Sequence, residues 1–106
     1  MKKIEEIIDA IVRHGEDLNS GNSKAANKLN DQITKDTQEF VNRNGIDSLL
    51  PWLEHDNLNV KLWMAKSVYS EYPEKAVSTF LMVEKTQTIF AGSAYLFLDM
   101  HKKNLL

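Results

Sequence analysis

His55 followed by Asp56 is the pairing in this 106-residue chain that comes nearest to acid–base chemistry. A carboxylate held against an imidazole fixes its tautomer and stabilises its charged form, which hydrolytic enzymes exploit. Adjacent residues, however, leave a helix or turn in different directions. The run His55-Asp56-Asn57 reads more economically as a break between two helices, with Asp56 or Asn57 capping the second. His14 and His101 stand in no His-Glu-x-x-His or comparable ligand spacing. Asp99, two residues before His101, points to another side of a helix. The four glycines, at 15, 21, 45 and 92, are isolated and build no phosphate loop. Gly92, within Phe90-Ala91-Gly92-Ser93-Ala94, reads as a close helix contact. Cysteine is absent, which excludes disulfides and thiolate metal sites. The residues therefore predict no catalytic group, no metal site and no cofactor. The enzyme alternative is a small hydrolase using His55 and Asp56.

Recognition is the second chemistry the residues suggest. Trp52, Trp63, Tyr69 and Tyr72 cluster within a short stretch, and interfaces favour Trp and Tyr as anchors. Residues 1–56 carry seven Lys/Arg against eleven Asp/Glu, and residues 57–106 carry six against four. An acidic region steers a basic partner towards it. The candidate partner-binding residues are Asp31, Asp36, Glu39, Asp47, Glu54 and Asp56, with Trp63, Tyr69 and Tyr72. A net charge of −2 and a pI near 5.9 argue against non-specific nucleic-acid binding, which needs a basic surface. A nucleic-acid-binding solenoid would require Lys61, Lys66, Lys75, Lys102 and Lys103 to converge on one face.

The elements that position these residues are helical. Ile4, Ile7, Ile8, Ile11 and Val12 recur with helical spacing, with Lys3, Glu6, Asp9 and Arg13 on the opposite side. Asn19-Ser20-Gly21-Asn22-Ser23 ends this helix and caps the next. A second helix from about 24 to 43 carries a narrow stripe of Ala25, Ala26, Leu29, Ile33, Thr37, Phe40 and Val41, and Asn44-Gly45 stops it. A short helix over 47–54 follows, with Pro51 tolerated if it falls in the first turn. The next helix carries Val60, Trp63, Met64, Ser67 and Val68. It ends at Tyr72-Pro73, and Pro73 begins a helix with Ala76, Val77, Phe80, Leu81 and Val83 inward. A last helix carries Phe90, Ala94, Phe97 and Leu98. Together they predict an all-α chain of about six helices forming a single domain over 1–106. No apolar run approaches a membrane span, and Glu5, Glu6 and Asp9 break the opening that would otherwise read as a signal peptide. The expected location is cytoplasmic.

The segment from Leu49 to Ala65, LLPWLEHDNLNVKLWMA, resembles a HEAT repeat: Leu-Leu-Pro in one helix, Asp at the turn, then Val, a basic residue and a small residue. Asp56, Val60, Lys61 and Ala65 occupy these places, with lysine where arginine is usual. Superposing 50–69 on 80–99 pairs Leu50 with Phe80, Leu53 with Val83, Val60 with Phe90, Met64 with Ala94 and Val68 with Leu98, a faint internal repeat. Over about 25–103, and most over 49–77, the chain is similar to a bacterial family of small helical proteins, domain of unknown function 2019. The resemblance implies an α-α superhelix of HEAT/armadillo-like hairpins, one over 47–72 and a second over about 73–103. It implies no catalytic residues. Some small helical proteins of this kind resemble immunity proteins that neutralise secreted bacterial toxins, so the expected function is a non-catalytic protein-binding module, in its sharpest form an immunity protein.

Overall fold

A computed structural model describes residues 2–106. Among the described residues the protein is 80% helical, with six helices and no strand. The helices are α1 (Ile4–Asn19), α2 (Ser23–Asn44), a 3-10 helix (Ile46–Glu54), α3 (Leu58–Val68), α4 (Pro73–Glu84) and α5 (Ile89–Lys102). The chain divides into two compact units, one reaching Leu49 and one from Leu50 to Leu106.

In the first unit α1 packs against α2. Ile7, Ile8 and Ile11 are buried on α1, with Ala26 and Ile33 on α2. The apolar spacing requires this, because a helix with one apolar stripe has one side to hide. The backbone N–H of Lys3 donates to the Glu6 carboxylate at 3.2 Å, closing the start of α1. At its end Gly21 takes φ +82°, a left-handed conformation glycine adopts without cost. Asn22 then accepts from the Ala25 N–H at 3.2 Å and starts α2. Gly45, at φ +85°, ends α2 by donating to the Val41 carbonyl at 2.8 Å. The narrow stripe expected of α2 is present, but Asp36 and Thr37 share its buried side. The Thr37 hydroxyl has no hydrogen-bond partner.

In the second unit α4 packs on both α3 and α5. Val60, Leu62, Met64, Ala65 and Val68 of α3, Ala76, Phe80 and Val83 of α4, and Ala94 and Leu98 of α5 are buried. Phe80 meets Phe97 with ring centroids 5.3 Å apart. Of the five thirty-residue pairs, Leu53 with Val83, Met64 with Ala94, and Val68 with Leu98 are buried on both sides.

Three sequence expectations change, and one open alternative is resolved. The helix around 47–54 is 3-10 rather than α, and Pro51 sits inside it rather than in its first turn. An α-helix would set the proline ring against the carbonyl four residues back, and the tighter helix avoids that demand. Asn57, not Asp56, caps α3, its side chain accepting from the Val60 N–H at 3.1 Å. Leu81, expected inward, is 44% exposed, and Thr79 takes the buried place. Gly92 is no close helix contact within the chain, since a Cβ placed there would meet nothing within 4 Å.

Candidate functional site

The geometry around His55 is that of a turn. Its Nδ1 accepts from the Asn57 backbone N–H at 3.0 Å, which leaves the ring proton on Nε2. Its ring lies 6.1 Å from that of Trp52. Asp56 is exposed, and no hydrogen bond joins it to His55 among the described residues. The imidazole nitrogen that a carboxylate would orient is already taken by the backbone. Lys61, at the basic position of the HEAT-like pattern, donates to the Leu53 carbonyl at 3.0 Å. That bond satisfies an end group of the 3-10 helix with a cation, the favourable sign there.

The other histidines are likewise engaged. His14 is buried at 7% exposure. Burial pushes its pKa below 6.5, and Asp17 opposes this to a lesser degree. His101 hydrogen-bonds through Nδ1 to the Tyr69 hydroxyl, and the two rings meet edge to face with centroids 5.5 Å apart. This pair joins α5 to the end of α3. No residue spacing signals it, because the partners lie on different helices. Among the described residues no cluster of His, Asp and Glu is arranged to hold a metal ion.

The proposed partner-binding residues fare unevenly. Asp31 and Glu39 are exposed on α2, and Asp47, Glu54 and Asp56 are exposed beyond it. Asp36 is the correction: it is only 7% exposed, and its carboxylate accepts from the Gln32 side-chain amide at 2.9 Å. On α2 it falls beside Ile33 and Thr37, on the side facing α1, so it presents no surface charge. Trp63, Tyr69 and Tyr72 are each half-buried. The acidic stretch also does not coincide with a structural unit. Through Leu49 there are seven basic and nine acidic residues, and from Leu50 onwards six of each. Of the lysines a nucleic-acid face would need, Lys61 is spent on Leu53, and Lys103 is paired with Asp99 at 2.9 Å. The Asp99 hydrogen bond raises the Lys103 pKa above its ordinary value.

Sequence reading missed the feature that stands out on the surface. Leu81 and Met82 of α4 are 44% and 54% exposed, and Ile89, Tyr95 and Leu96 of α5 are 49%, 63% and 54% exposed. Ile89 and Leu96 are seven residues apart, so they share one side of α5, nearly opposite buried Ala94 and Leu98. The seven-residue spacing is the signal the sequence carries for this second stripe, behind the one through Ala94 and Leu98. Depressions indent the second unit. One of about 480 Å³ is lined by Lys66, Tyr69, Ser70, Pro73 and Leu106. Another of about 370 Å³ runs between the 3-10 helix and α4, with Leu50, Leu53 and Glu54 on one side and Lys75, Thr79 and Met82 on the other.

No family model, curated protein or solved structure matches the chain. No helix among the described residues is long and apolar enough to cross a membrane.

Proposed function

We propose that this chain is a protein-binding module that uses the exposed apolar side chains of its last two helices as contact residues. The observation that carries the reading is the exposure of Ile89, Tyr95 and Leu96 on α5 together with Leu81 and Met82 on α4. Exposed apolar area costs roughly 25 cal/mol per Å² relative to burial, and apolar residues exposed side by side, as Ile89 and Leu96 are on one side of α5, mark interaction surfaces. Tyr95 adds an aromatic with a polar tip, the residue type that anchors interfaces. The HEAT-like pattern over 49–65 supports the same reading, since stacked helical hairpins serve mainly as binding scaffolds.

The sharper form is an immunity protein that neutralises a basic toxin domain by direct binding. Asp31, Glu39, Glu54 and Asp56 support it: each is exposed and has no cation bonded to it. Such charges speed the encounter with a basic protein and fade with salt, while the apolar surface holds the complex. The resemblance to the bacterial family of small helical proteins leans the same way.

Affinity capture from the native cell tests this, comparing the wild type with Leu96→Asp and with the pair Asp31→Lys, Glu39→Lys. The expected result is one stoichiometric protein retained by the wild type and lost with Leu96→Asp. Capture by the lysine pair should weaken most at low salt. If the wild type retains nothing, or Leu96→Asp retains the same protein equally well, the reading fails.

A further inference from the structure

We propose that the depression at the end of α3 is a binding site for a small amphipathic carboxylic acid, its carboxylate held by Lys66 and Ser70. Its volume, about 480 Å³, falls in the range of about 300–1,000 Å³ typical of small-ligand pockets. Lys66 lies in the last turn of α3, Tyr69 and Ser70 follow its end at Val68, and Pro73 opens α4, so the depression sits where α3 gives way to α4. Leu106 also lines it.

Three observations set the chemistry. Lys66 is exposed, and no carboxylate lies within ion-pairing distance of it among the described residues. The contrast is Lys103, whose ammonium is already taken by Asp99. The Lys66 ammonium sits instead over the Phe97 ring, 5.3 Å from its centroid. An aromatic face restrains a cation without using its N–H donors up, so those donors remain available to an anion. Next, the Tyr69 hydroxyl is tied to His101, which pins the ring and makes it a fixed wall rather than a swinging one. Preorganised walls cost a ligand less ordering entropy. Finally, one cation and one hydroxyl stand among carbon surfaces. A phosphate calls for several converging donors or an arginine fork, whereas a carboxylate on an apolar body matches one lysine, one hydroxyl and the Tyr69, Pro73 and Leu106 surfaces.

The test is a nitrogen–proton NMR titration with phenylpropionate and, separately, with its uncharged counterpart phenylpropanol. The acid is expected to give saturable shifts at the Lys66, Tyr69, Ser70 and Leu106 amides, with a Kd on the order of 1 mM. Phenylpropanol should bind at least about tenfold more weakly, the difference a single charge contact supplies. Lys66→Met should erase the preference for the acid while the melting temperature and the rest of the spectrum stay in place, and Lys66→Arg should retain it. Equal binding of acid and alcohol overturns the proposal, as do shifts centred elsewhere, no saturable shift at all, or an undiminished preference in Lys66→Met.

Discussion

On α1 the positions behind buried Ile7, Ile8 and Ile11 are Glu5, Glu6, Asp9 and Arg13, all exposed and all charged. On α5 the positions behind buried Ala94 and Leu98 are Ile89, Gly92, Ser93 and Leu96. Both helices bury an apolar stripe, but only α1 backs it with groups that water solvates. A helix with one polar side states in its sequence which way it faces. A helix apolar on two sides does not, and its second apolar side is left for something outside the helix group to cover. The α1–α2 pair is thus finished as a surface, whereas the α3–α5 group is finished as a core but not as a surface.

The largest test of this division removes a core side chain from each group. Phe80 is fully buried, and Phe80→Ala is expected to cost about 3–5 kcal/mol, with Ile11→Ala costing about 2–5 kcal/mol. Hydrogen exchange should show Phe80→Ala speeding amides of α3, α4 and α5 most, and Ile11→Ala those of α1 and α2. If each substitution speeds both groups alike, the chain's two compact units do not behave as separate energetic bodies.

A smaller substitution probes the outer side of α5. Gly92 is the fourth residue of α5, exposed, and an added Cβ would touch nothing. The helix does not need glycine there, so Gly92→Ala should raise stability by about 0.5–1 kcal/mol in thermal unfolding. A fall in stability would mean that the far side of α5 is not open in the folded chain. A rise in stability accompanied by loss of the captured partner would place a close backbone contact at Gly92 and sharpen the contrast with α1.

The parts legible in the sequence are those where local chemistry decides. The turn at Asn19–Ser23, the stop at Gly45, and the helix start at Pro73 follow from caps and φ preferences, which act within a few residues. The stripe of α1 follows from its contrast with charged neighbours. What stayed hidden depended on partners far away in the chain. Asp36 reads as a surface acid among polar neighbours, yet its place beside Ile33 and Thr37 puts it in the core side of α2 with only Gln32 to satisfy it. Leu81 and Val77 flank Phe80 with equally apolar side chains, so nothing local chose between them. The Tyr69–His101 bond spans two helices and leaves no mark in spacing. The cap at Asn57 was offered as one of two choices, and geometry selected it because its oxygen reaches the Val60 N–H.

His14 supplies the subtlest test, and it belongs to the α1–α2 pair alone. The ring is buried on α1 beside Ile11 and Gly15, and burial holds its pKa below 6.5, with Asp17 pulling weakly the other way. The unfolded chain then binds the proton more readily than the folded one. Stability is therefore unaffected by this group above 6.5, declines as pH falls from 6.5 to the lowered folded value, and levels off below that. Urea unfolding midpoints, followed from about pH 8 down to about pH 5, should show this decline. The informative quantity is the difference between the wild type and His14→Gln, because every contribution the two chains share cancels in it. His14→Gln should lose the decline while shifting the high-pH plateau by the packing cost alone. Should the two curves run parallel throughout, the imidazole is not desolvated by the α1–α2 core, and the burial of His14 between these helices would lose its electrostatic support.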